Sequence, residues 1–143
     1  IIIETTGAVK EGKLEIIKEK AIKVLNQEEI DTANNFEYVF KEFESWCGNY
    51  NKLFLYWGGN DIAVLKNDNN RSKENIEIVD NIIKNNIDYQ EVLCKDILNL
   101  KDSLSLKNAT LRYNLLFEGS QHNALDDSYN LSKLYFEERK KRG

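Results

Sequence analysis

The chain holds one histidine, His122, and two aspartates, Asp126 and Asp127, follow it closely. An imidazole with an unperturbed pKa near ~6.5 can take a proton from water at neutral pH. Carboxylate oxygens are what hard divalent cations bind. Two further acids lie at places where the chain turns: Glu4 in "IIIETTG" and Asp61 after "KLFLYWGGN". A base and several acids brought in from separate segments are the ingredients of metal-assisted hydrolysis. Each has a plainer reading. A lone histidine is commonly structural or a surface residue, Asp61 can cap a helix after Gly58-Gly59, and Glu4 can be an acid at the end of a strand.

The elements that must position these residues follow from pattern. "IIIETTG" is β-branched and apolar and stops at Gly7, which predicts a buried strand. "AVKEGKLEII" predicts two short strands around Glu11-Gly12-Lys13. "KEKAIKVLNQEEIDTAN" predicts short helical turns. In "NNFEYVFKEFESWCGN", Phe36, Val39, Phe40, Phe43, Trp46 and Cys47 recur at helical spacing; Asn34 or Asn35 can cap the start, and Gly48 can end it. These aromatics read as core rather than as stacking platforms for bases. "KLFLYW" is a strand, Asn60 to Lys66 begins a helix with Ile62 and Leu65 inward, and 67–75 is expected to be a polar loop. The stretch 76–87 is ambiguous, part helix, with "NNID" as a possible short strand. "DYQEVLCKDIL", capped by Asp88, and "SLSLKNATLRYNL" are helical. A last helix runs from Ala124 to about Lys140, and its basic end, 139–142, reads as a solvated terminus. Strands early in the chain, then helices alternating with a strand, indicate α/β.

Composition sets the limits. The 143 residues suit one domain, residues 1–143, and 41% apolar content allows a core. A net charge of -4 argues against nucleic-acid binding by bulk electrostatics, but a site holding cations through carboxylates is itself acidic. Cys47 and Cys94 fall on apolar helical patterns without metal-type spacing, so they read as reduced core thiols. No apolar run is long enough to span a membrane, and no secretory signal stands out, so a cytoplasmic protein is expected. The sequence has no Met and opens on "III", so the domain is expected to lack N-terminal residues.

Taken in order, the motifs resemble those of the DEDDh group of 3′–5′ exonucleases, the RNase T and proofreading-subunit family. Its last motif, H-x-A-x-x-D before a helix, is matched by His122, Ala124 and Asp127. Its first, a strand ending D-x-E-T-T-G, is matched in part by Glu4, Thr5, Thr6 and Gly7. Its second, an Asp after a central strand, is matched by Asp61, and Trp57-Gly58 before it is similar to one branch of the family. The resemblance implies an RNase H-like mixed sheet flanked by helices. It implies removal of nucleotides from single-stranded DNA or RNA 3′ ends, with two Mg²⁺ or Mn²⁺ ions ~4 Å apart. Glu4, Asp61 and Asp127 would hold the metal and His122 would be the general base, with Thr5 and Trp57 toward the substrate. Asp126 and Asn60 are off-pattern.

The first motif is incomplete, because Ile2 stands where the family has an Asp. Either the chain is a catalytically inactive nucleic-acid-binding relative, or residues are missing, or the register differs. In the alternative register Gly7-Ala8-Val9-Lys10 is the family's second strand, the first motif lies upstream of Ile1, and Glu4 is no ligand.

Overall fold

The computed structural model describes residues 7–10, 13–16 and 27–143. Its first elements are an antiparallel pair, β1 (Gly7–Lys10) and β2 (Lys13–Ile16), in register Gly7 with Ile16 through Lys10 with Lys13. The two short strands expected there are present. A short helix, α1 (Gln27–Thr32), follows.

Helix α2 (Phe36–Cys47) is the one its spacing predicts. The Asn35 side chain accepts a hydrogen bond from the Tyr38 N–H at 2.9 Å, which satisfies one of the donors a helix start leaves open. Gly48, at φ 62°, ends it in a conformation that suits glycine. Phe40, Phe43 and Cys47 are buried, and Phe36 and Trp46 pack partly buried beside them. The first core is completed by Leu65, Ile76, Ile78 and Val79, with Phe54 of the following strand at its edge.

β3 (Phe54–Tyr56) leads into α3 (Asp61–Arg71) and α4 (Glu77–Lys84), and the chain returns as β4 (Asn86–Asp88). β3 and β4 are parallel, Phe54 opposite Asn86 and Tyr56 opposite Asp88, and the two helices make the crossover that a parallel pair requires. The polar stretch expected to be a loop continues α3 as far as Arg71. The ambiguous stretch resolves into α4 and then β4. Helix α4 has no cap from its own segment; instead Glu44 of α2 accepts from the Ile78 N–H at 2.8 Å. One side chain thereby joins two helices of the first core.

Asp88 caps α5 (Tyr89–Glu91), which widens into a π-helical turn over Val92–Ile97, closed by the Leu98 N–H on the Leu93 carbonyl at 2.9 Å. Then come α6 (Leu106–Arg112), capped by Ser105, and the long α7 (Ala124–Arg142), capped by Asn123. Tyr89, Leu93, Leu106, Ala109, Leu131 and Leu134 form the second core. Cys47 and Cys94 are buried free thiols.

The expected α/β architecture, an RNase H-like mixed sheet flanked by helices, is not what forms. The described residues are mostly helical, and their strands make two separate two-stranded sheets, β1 with β2 and β3 with β4. The physical reason lies in the pattern. From residue 27 onward, only "FLY" and "NID" depart from helical spacing long enough to pair, and each supplies three residues. The strand expected over "IIIETTG" falls, up to Thr6, outside the described residues. No helix among the described residues is long and apolar enough to cross a membrane.

Candidate functional site

Two turns carry the chemistry-bearing residues. The first follows β3. Gly58, at φ 57°, donates its N–H to Asp88 Oδ1 at 3.0 Å, and the same oxygen accepts from the Glu91 N–H at 3.3 Å. Asp88 therefore ties the turn after β3 to the start of α5. Asp61 is the first residue of α3, just past this turn, where the helix dipole favours a carboxylate. Its side chain reaches solvent, yet the protein packed around it and the neighbouring charge of Asp88 hold its carboxyl above the usual range. Tyr56, at the end of β3, is pushed up by burial and by the charges of Asp88, Glu91 and Asp61.

The second turn precedes α7. His122 is exposed and lies at φ 66°, a left-handed conformation that a residue with a side chain seldom adopts. The turn closes with the Asn123 N–H on the Ser120 carbonyl at 3.3 Å. Asp127 lies in the first turn of α7, half-buried. Burial raises its carboxyl, while the His122 main-chain N–H and the His122 charge pull it down; Asp126 and Asp61 push it up again. The net direction is upward. The repulsion between Asp61 and Asp127 falls on Asp127 and places the two carboxylates within reach of each other's field, although long stretches of chain separate them.

The expected residues thus divide. His122 and Asp127 are neighbours, and Asp61 is near enough for its charge to act on Asp127. Glu4 and Thr5 lie outside the described residues, so the two N-terminal registers are not separated by Glu4. Trp57 is half-buried and packs on the second core, edge-to-face with Tyr89 at 6.4 Å between ring centroids, and its buried Nε1–H has no hydrogen-bond partner among the described residues. Asp126 is drawn away from Asp127's partners by the Ser120 N–H, which its Oδ2 accepts at 2.8 Å.

Asp61 and Asp127 suit a divalent cation in type. They are hard oxygen donors, and a cation would offset the burial and the neighbouring negative charges that raise Asp127. They are two donors only; among the described residues no group of three or more His, Cys, Asp or Glu side chains is arranged to hold a metal ion. Asp88 and Asn130 are the structural residues that spacing did not single out for this site. Asp88 carried one signal, its position after a short extended segment. Asn130 carried none, because an amide inside an amphipathic helix looks like any solvent-facing polar residue.

No family model matches the chain, and no curated protein or solved structure is similar enough to count as a relative.

Proposed function

We propose that the chain is a metal-dependent 3′–5′ exonuclease that removes nucleotides from single-stranded DNA or RNA ends and acts in the cytoplasm. The observation that carries this reading is the Asp127 carboxyl: burial raises it, the His122 main-chain N–H and charge lower it, and Asp61, like Asp126, is near enough for its charge to act on it. A base and two acids from separate segments thereby share one region, in the order of the motifs that resemble the DEDDh group. Asp61 and Asp127 would hold the divalent ions, which supply charge neutralisation at the phosphate and a more acidic water. His122 takes the proton of the attacking water. The water oxygen bonds to phosphorus, the bond from phosphorus to the 3′-oxygen of the preceding nucleotide breaks, and a nucleoside 5′-monophosphate leaves. His122 lies on a turn just ahead of α7, and its side chain is open to solvent and therefore to a strand end.

The test is a 5′-labelled single strand incubated with the chain in Mg²⁺ or Mn²⁺. A ladder of shortened products is expected, with none in chelator. His122→Ala should slow the reaction by roughly 10²- to 10⁴-fold, the usual share of general-base catalysis. The second reading, a catalytically inactive nucleic-acid-binding relative, is favoured by Ile2 in the first motif. Binding of the strand without shortening, in either metal, would select it.

A further inference from the structure

We propose that Asp126 and Asn130 are positioning residues that clamp the 118–122 loop onto α7 and thereby fix His122 beside Asp127. The proposal rests on the reading of His122 as the base and extends it to residues that touch neither water nor substrate.

The clamp has two jaws. Asn130 is fully buried and uses its whole amide. Its Oδ1 accepts from the Glu118 N–H at 2.9 Å, and its Nδ2 donates to the Glu118 carbonyl at 2.8 Å and to the Asp126 carbonyl at 2.7 Å. An amide that pairs with both polar groups of one residue fixes that residue's orientation as a strand neighbour would. Asp126 makes the second jaw, accepting the Ser120 N–H at 2.8 Å. Gly119 lies between the jaws at φ 85°, and a Cβ there would run into the Asp126 carboxylate. Only a glycine lets the main chain pass this close. Lys133 adds an outer contact, donating to the Leu116 carbonyl at 3.1 Å.

The next residues are the left-handed His122 and the cap Asn123, whose side chain accepts from the Asp126 N–H at 3.1 Å. The chain from Glu118 to Asn123 is therefore held at 118, 120 and 123, and His122 has little freedom in where it leaves the helix. An unclamped loop would let His122 relax from its positive φ, a conformation that a residue with a side chain seldom adopts.

His122 is the sole histidine, so its ring signals are an unambiguous NMR reporter. The experiment is done on the chain without metal and compares amide hydrogen exchange at Glu118, Ser120 and His122, and the line shape of the His122 ring signals, in the parent, Asp126→Ala and Asn130→Asp. Asn130→Asp keeps the shape and removes the donors. Exchange at these amides should be slow in the parent and about 10-fold or more faster in the clamp variants, with the His122 ring signals broadened or split. Asp126→Asn, which retains an acceptor for the Ser120 N–H, should restore the slow exchange. In the nuclease assay, Asp126→Ala should lower kcat by about 10- to 100-fold, as displacement of a catalytic group does, with KM changed little. Circular dichroism identifies any variant that has failed to fold, and Asp126→Ala, whose side chain is only partly buried, is the variant chosen to keep its fold. Unchanged exchange at Ser120 and His122 in folded Asp126→Ala overturns the clamp. Absence of nuclease activity in the parent overturns the function and leaves the NMR result to decide the clamp by itself.

Discussion

The two cores of this chain are built differently. The first, around α2 and α4, buries Phe40, Phe43, Cys47, Leu65, Ile76, Ile78 and Val79, every one of them apolar. The second, around α7, buries Leu93, Leu131 and Leu134, and beside them, on α6 and α7 and at the α7 cap, lie Thr110, Asn123, Asn130 and Glu138. Apolar packing is non-directional and tolerates changes that keep volume. A buried amide or carboxylate is tied to particular partners and is costly when they are lost. The first core therefore supplies adhesion, and the second specifies position. His122 and Asp127 sit on the second, where position is what the proposed chemistry requires.

The largest effects should separate the two cores. Phe40→Ala should destabilise the fold by about 3–5 kcal/mol, because a fully packed ring leaves a cavity, while Phe40→Leu should cost much less. Urea denaturation of both variants measures this. If Phe40→Ala left the midpoint unmoved, the aromatic face of α2 would not be a core at all. In nuclease assays well below the melting transition, neither Phe40 variant should change the rate by more than a small factor, since the first core does not hold the proposed base.

Glu138 gives the second core its own test. It is buried, accepts the Tyr89 hydroxyl at 3.0 Å, and has Arg142 Nε 2.8 Å from its other oxygen. Tyr89→Phe removes a donor from a buried carboxylate and should cost about 1–3 kcal/mol, less than Phe40→Ala. Burial, then the Glu138 bond and charge, push the Tyr89 phenol well above its ordinary value. The fold therefore favours the neutral phenol. That stability is fully present below the unfolded pKa of ~10 and is lost as pH rises beyond it. Melting temperatures measured from pH 9 upward should fall less steeply in Tyr89→Phe than in the parent. Equal slopes would show that the Tyr89–Glu138 bond contributes nothing.

The contrast also marks what the sequence could tell. α2 was legible to its cap and its end, since Asn35, the aromatic spacing and Gly48 all act locally. The start of α5 at Asp88 was legible for the same reason. The sheet was not. Whether "FLY" finds one partner or several depends on segments far along the chain, and a three-residue strand has no periodicity to count. The extended α3 was missed because Asn67 to Arg71 is polar all round, and a polar helix end looks like a loop. At the candidate site, His122, Asp61 and Asp127 are singled out by type and by their order in the motifs. The ties that hold them, Asp88 on Gly58 and Asn130 on Glu118, are long-range bonds from residues whose local roles, cap and helix surface, were sufficient to explain them.

The smallest expected effect is opposite in sign to the others. The carboxyls of Asp61 and Asp127 both lie above their ordinary values, so the fold disfavours their charged forms. For such a group the native state holds more protons than the unfolded state across the interval between the unfolded and folded pKa values. Stability is therefore present in full below the unfolded pKa and falls as pH rises through the folded one. At neutral pH both charges are in place and their repulsion is unrelieved. Asp127→Asn should then raise the melting temperature in chelator, and Asp61→Asn should do so to a lesser degree because its side chain is more open to solvent. The gain should stay below about 1 kcal/mol, the scale of solvent-screened charge pairs, or roughly 2–4 °C for a domain of this size. The same variants should lose the stabilisation that added Mn²⁺ gives the parent, and with it the nuclease activity. A melting temperature that falls in Asp127→Asn would mean that the carboxylate is held by its bonds to the His122 turn more strongly than Asp61 opposes it, and its place would then be structural.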